Sequence, residues 1–303
     1  MEWFNNFLLY VVPLAPKWAI RLVAKKYFAG ETIDTAVGKI QSLNQDDFFT
    51  TADILGENVE TIKEAQKPVE KYLKLIERIS TENLNSGLSL KLTQLGLKID
   101  KEKAWENLIK LLEKADENDI FLRIDMEDSS CTDDTLEFYQ RARKKYPNTG
   151  AVLQSYLYRS ENDLLELVEN GTTNLRICKG IYTEPPEISY QDKDLISENF
   201  FKLVRLGLEN DVYIGIATHD LELIERCENF IENNDIEPQN YEFQALLGVP
   251  VDRTLKRLRD NGHKVRYYVP YGREWYAYSM RRLQENPDLA GYIFKDFFKF
   301  KSS

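Results

Sequence analysis

From about residue 49 the chain alternates between two hydrophobic rhythms. Short segments rich in β-branched and aromatic residues recur at 49–56, 87–96, 120–128, 150–157, 174–182, 211–220, 241–248 and 264–272, eight in all. The stretches between them are charged, with apolar residues spaced three and four apart. Examples are Val69, Tyr72, Leu73, Ile76 and Ile79, then Leu108, Leu111, Leu112 and Ala115, then Leu221, Ile224, Cys227 and Ile231. That spacing gathers apolar side chains on one face of a helix. Strands alternating with helices imply parallel pairing through crossover connections. Eight such units in about 250 residues match a distorted (β/α)8 barrel, with a doubly wound open sheet as the competing arrangement. No Pro-, Gly- or Ser-rich linker divides the chain, so a catalytic barrel over 49–303 is expected, preceded by an N-terminal helical arm over 1–48.

The arm begins with an apolar, aromatic stretch. Its longest uncharged run, Trp3 to Pro16, falls short of the about 20 residues that a bilayer span needs, and Pro13, Pro16, Lys17 and Arg21 interrupt it. A basic start and a small-residue cleavage site are both missing, so a signal peptide is not indicated. Two readings remain. The segment packs on the barrel as one or two helices, or it seeks a membrane surface with Lys17, Arg21, Lys25 and Lys26 on its polar side. The expected location is the cytoplasm, with peripheral contact at the inner face of the cell membrane under the second reading.

Composition narrows the chemistry. Of 303 residues 43% are hydrophobic, enough for a large core and too many for a disordered tail. A net charge of −10 argues against nucleic acid as a partner. With two histidines and three scattered cysteines there is no set for a metal centre, and none is expected. Motifs for a Rossmann dinucleotide turn, a phosphate-binding Walker loop, a serine-nucleophile elbow and a zinc-protease helix are also missing.

In a barrel of this kind function collects where strands end. Those positions hold Glu57, Lys91, Asp125, Gln154, Arg176 and Lys179, then Tyr182, Thr218, His219, Gln244 and Tyr268. Inward barrel positions are normally aliphatic, so this set points to a polar, ligand-filled mouth. Each residue alone admits a plainer role. Lys91 and Asp125 would then simply neutralise each other, and His219 would be a hydrogen-bonded structural histidine. After the last strand, REWYAYSMRRLQEN (273–286) reads as one helix. Its adjacent Arg281 and Arg282 suit bidentate capture of a carboxylate, or else a basic helix end.

In this order, LGE (55–57), LSLKLTQLG (88–96), RIDMED (123–128), LQSYL (153–157), LRICKGIY (175–182), ATHD (217–220), EFQALLG (242–248), YVPYG (268–272) and Y-x-x-RR-x-x-EN (278–286) form a specific series. On these motifs the chain resembles the flavin-dependent proline dehydrogenases, in their short monofunctional bacterial form. The resemblance implies non-covalent FAD, oxidation of L-proline to Δ1-pyrroline-5-carboxylate, a membrane quinone as electron acceptor, and a separate dehydrogenase for the glutamate semialdehyde that follows. It implies that Arg281 and Arg282 clamp the proline carboxylate and that Lys91, Asp125, Leu246, Tyr268 and Tyr278 complete the substrate pocket. Lys91, Asp125 and Arg176 are then the catalytic group, with Arg176 beside flavin N5. Gln154, Lys179, Tyr182, Thr218, His219 and Gln244 match further flavin contacts, and Glu57 pairs with Arg281 as a gate. Cys178 and Leu247 depart from the pattern, which favours Val and a larger or imidazole side chain there. Tyr268 leans the pocket toward proline over hydroxyproline. Two other classes stay open on the residues alone: a Schiff-base lyase using Lys91 or Lys179, and a non-catalytic binding barrel.

Overall fold

The structure, a computed structural model, describes residues 20–21, 24–56 and 59–285, with side chains through residue 282. Eight strands close a parallel barrel in chain order: β1 (Phe49–Ile54), β2 (Ser86–Leu90), β3 (Leu122–Ile124), β4 (Thr149–Gln154), β5 (Asn174–Cys178), β6 (Tyr213–Ala217), β7 (Tyr241–Leu246) and β8 (Val265–Tyr271). β1 pairs with both β2 and β8, so no sheet edge remains. This excludes the open doubly wound sheet. All eight predicted strand segments contain a strand, though the sequence pattern overran several of them. The segment 87–96 is strand only to Leu90 and then tightens into a 3-10 turn, Leu92–Leu95.

The helices are α1 (Ile33–Gln45), α2 (Ile62–Thr81), α3 (Lys101–Asp116), α4 (Thr132–Arg143), α5 (Ser160–Glu169), α6 (Lys193–Glu209), α7 (Leu221–Asn233), α8 (Asp252–Asp260) and α9 (Trp275–Glu285). Several start on a side-chain cap that takes up otherwise unpaired backbone N–H groups. Thr61, Asp100, Asp192 and Asp220 do this for α2, α3, α6 and α7. The apolar faces read from the sequence are buried against the barrel, including Val69, Tyr72, Ile76, Ile79, Leu108, Leu111, Leu112 and Ala115. Leu221 is the exception at 54% exposure, because it stands in the first turn of α7, at the rim.

On both flanks of the barrel the described helices depart from the regular pattern. The groove between β8 and β1 is covered by α1, which precedes the barrel in sequence. The helix after β8, α9, joins a separate apolar cluster in which Trp275 and Tyr278 pack with Leu55, just beyond β1, and with Ile20, Ala24, Tyr27 and Phe28. Phe28 stacks on Trp275 with ring centroids 5.5 Å apart. Backbone bonds from Ala29 N to Pro270 O (2.8 Å) and from Gly272 N to Gly30 O (2.9 Å) fasten this segment to the end of β8. Residues 20–21 and 24–30 therefore pack against the end of β8 and α9. Among the described residues no helix is long and apolar enough to cross a membrane.

Candidate active site

The C-terminal mouth of the barrel holds a buried charge network. Asp53 on β1, Ser89 on β2, Lys91 just after β2, Asp125 just after β3, Arg176 on β5 and Tyr268 on β8 all reach it. Lys91 Nζ lies 3.2 Å from Asp53 Oδ2 and 3.9 Å from Asp125 Oδ2. Arg176 donates from Nη1 to Asp125 Oδ1 at 2.8 Å, from Nη2 to Ser89 Oγ at 3.2 Å and from Nε to Gln244 Oε1 at 2.7 Å. Tyr268 donates its hydroxyl to Asp125 Oδ2 at 2.8 Å, and its ring lies 5.3 Å from the Arg176 guanidinium.

Electrostatics fix the protonation of much of this group. Burial alone would push the Lys91 ammonium toward losing its proton. The carboxylates of Asp53 and Asp125 more than reverse that, so its pKa stands above the ordinary lysine value. Burial raises the Asp53 carboxyl above its ordinary range, against the pull of Lys91. Burial, reinforced by Asp125 and Asp53, raises the Tyr268 phenol far above its usual value, so it remains a donor.

The opposite side of the mouth is built from β4 to β7 and carries a different set. Gln154 ends β4, Thr218 and His219 follow β6, and Gln244 lies on β7. His219 Nε2 accepts a hydrogen bond from Leu246 N at 3.1 Å, which requires that nitrogen to be unprotonated. Burial, with Arg282 nearby, lowers the His219 pKa to about 4. Lys179 Nζ donates to Ser197 Oγ at 2.9 Å and to Asp220 Oδ2 at 2.7 Å. Asp220 also caps α7, so ATHD is partly a helix-start motif. Tyr182, in the loop beyond β5, and Leu246, at the end of β7, are half-buried. Gly180 carries φ +106° between Lys179 and Tyr182, and a Cβ there would collide with the Tyr156 ring.

Of the residues singled out in the sequence, Lys91, Asp125, Arg176, Tyr268 and Gln244 form one contacting network. Arg281, Arg282 and Tyr278 lie on α9, with Arg282 and Tyr278 buried. The charge of Arg282 is the second cause, after burial, of the lowered His219 pKa. Glu57, and with it the gate to Arg281, lies outside the described residues. The sequence reading missed Asp53, the nearer partner of Lys91. Its signal was present, since Asp53 breaks the apolar run TADIL as Asp125 breaks RIDM.

Fold and mouth together define a parallel (β/α)8 barrel with a buried charge network at its C-terminal mouth. The proline dehydrogenase family model matches residues 36–293. The chain is 36% identical to Proline dehydrogenase 2 of Bacillus subtilis over 93% of its own length and 92% of that protein's. To the Proline dehydrogenase of Deinococcus radiodurans it is 34% identical, over 91% and 90%. A crystal structure of proline utilization A from Bdellovibrio bacteriovorus superposes with a TM-score of 0.81 at 25% identity, covering 88% of this chain and 32% of that one. The chain belongs to the proline dehydrogenase family, flavoprotein oxidoreductases acting on the CH–NH group of proline. A Schiff-base lyase is thereby set aside. The site agrees, because Lys91 is held protonated, whereas a carbonyl-trapping lysine needs a free amine.

Proposed function

We propose that this chain oxidises L-proline to Δ1-pyrroline-5-carboxylate at the mouth of the barrel, with non-covalent FAD along the β4–β7 side and proline between the β1–β3 and β8 side and α9. The observation that carries this reading is the division of the mouth. One half presents a buried charge network, the other mostly neutral hydrogen-bonding groups, and Arg176 bonds to both through Asp125 and Gln244. The neutral half suits a flavin ring. Gln154 Oε1 is buried with no hydrogen-bond partner, an acceptor of the kind that an imide N–H satisfies, and it ends the strand beside Arg176.

FAD, when bound, supplies acceptance of the hydride that leaves the proline ring carbon beside nitrogen. The chain's own groups bind and orient. Arg281 and Arg282 clamp the carboxylate, and Leu246, Tyr268 and Tyr278 bound the ring. Lys91 keeps its proton, so its role is a fixed positive charge and not a general base. Tyr268 donates to Asp125 and holds one of its oxygens while Arg176 holds the other. Burial of these charges strengthens each contact relative to water.

Two outer parts of the reading rest on the resemblance: the electrons pass to a lipid-soluble quinone, and the product passes to a separate dehydrogenase. The arm over 1–48 precedes the barrel over 49–303, and its polar side, with Lys17, Arg21, Lys25 and Lys26, would meet the membrane surface while its apolar side packs on the barrel. Purified protein is expected to be yellow, and its visible absorbance should bleach on adding proline without air. A colourless preparation that FAD cannot reconstitute would sink the proposal.

A further inference from the structure

Below the mouth the lumen holds a second set of buried charges that the reaction does not use. Glu242 stands near the start of β7 and is 1% exposed. Its Oε1 accepts from Arg266 Nε at 2.7 Å, and Arg266 Nη1 also donates to Thr50 O at 2.6 Å. The same Oε1 accepts from Gln244 Nε2 at 2.5 Å. Gln244 Oε1 then accepts from Arg176 Nε at 2.7 Å. We propose that the Glu242–Arg266 pair is a positioning element for Arg176, acting through the Gln244 amide.

The argument rests on the two-ended chemistry of an amide. A carboxylate only accepts and a guanidinium only donates, so an amide between them has one satisfactory orientation. Nε2 must face Glu242 and Oε1 must face Arg176. Reversed, carbonyl would oppose carboxylate and NH2 would oppose guanidinium, with both contacts repulsive. Arg266 keeps Glu242 charged in the interior. Burial would raise that carboxyl's pKa, but Arg266 and Lys264 outweigh it and hold it near about 2. The backbone cooperates. Gly215 lies on β6 in register between Arg176 and Glu242, and a Cβ there would lie 2.5 Å from Gln244 Nε2. Only a residue without a side chain leaves that space for the amide.

This rests on the reading of Arg176 and Gln244 as flavin contacts. Two variants test it: Gly215→Ala, which leaves every charge in place, and the double replacement Glu242→Met with Arg266→Met, which removes the pair without stranding either charge. Flavin content is read from the visible spectrum, the midpoint potential of bound FAD by dye titration, and kcat and KM for proline separately. Both variants are expected to retain FAD, to lose about tenfold in kcat with KM changed less than about threefold, and to show a lower midpoint potential as the cation is held less firmly. Folded, flavin-loaded variants with kcat and potential matching the parent would overturn the positioning role alone. A parent enzyme that binds no FAD would instead overturn the reading beneath it. Should the double variant not fold, Gly215→Ala decides by itself.

Discussion

Lys91 lies closer to Asp53 than to Asp125, with Nζ 3.2 Å from a carboxylate oxygen of the first and 3.9 Å from one of the second. Asp125 is instead engaged on both oxygens, by Arg176 and Ser89 on one and by Tyr268 on the other. Asp53 is therefore the main counter-ion that keeps the ammonium charged. Asp53→Asn should cost about 3 kcal/mol of stability, because it removes the nearest counter-charge of a buried cation. It should also lower kcat/KM for proline at least about tenfold. Urea unfolding and steady-state kinetics check both. An unchanged variant would return Lys91 to Asp125.

The His219 imidazole gives a pH signature. Its pKa falls from the ordinary 6.5 to about 4 on burial, with Arg282 adding to the shift. The unfolded chain thus binds a proton that the folded chain refuses between these values. The stability owed to a neutral His219 is complete above about pH 6.5 and is lost as pH falls toward 4. Allowing for partial exposure, the loss is on the order of 2 kcal/mol. His219→Gln should flatten that part of the stability profile, measured by denaturant unfolding across pH 4 to 7. A variant with the parent's slope would mean that the imidazole binds its proton equally in the folded and the unfolded chain.

How far the sequence could foresee this site depends on what each residue needs. The strand-end residues were readable because charge in a β-rich run is conspicuous, and Lys91, Asp125, Arg176 and Tyr268 meet as the pattern suggested. The division of labour among them was not. Which carboxylate takes Lys91 depends on sub-ångström differences between strands far apart in the chain. Glu242 and Arg266 were passed over because they sit at strand starts, where a charge ordinarily meets solvent. Here barrel closure turns them into the lumen. The displacement of α9 from the β8–β1 groove was equally hidden, since periodicity gives a helix's apolar face but not its partner. Ile20, Ala24, Tyr27 and Phe28 supply that partner.

Gly180 tests the loop that follows β5. Its φ of +106° suits glycine, and a side chain would strike the Tyr156 ring. Gly180→Ala should shift the backbone that carries Lys179 and Tyr182, at a cost of about 1–3 kcal/mol. FAD should then wash out more readily during gel filtration while the far-ultraviolet circular dichroism stays native. Equal retention of flavin would show that this loop does not grip the cofactor.

The stacking of Phe28 on Trp275 makes the N-terminal segment a brace for the helix bearing Arg281 and Arg282, the proposed carboxylate clamp. Arg282→Met, which removes one arm of the proposed clamp, should raise KM for proline about a hundredfold while FAD remains bound. Phe28→Ala leaves both arginines intact but loosens α9 beneath them, since it empties a site that is 4% exposed. Its expected effect is a smaller rise in KM, about five- to tenfold, with kcat nearly constant. Both effects run partly through the placement of Arg282, so they should not multiply fully. In the Phe28→Ala, Arg282→Met double variant the KM should exceed that of Arg282→Met alone only by the part of the Phe28→Ala effect that acts through Arg281, well short of the product of the two. Full multiplication of the two effects would show that Phe28 acts on the site by some route other than α9.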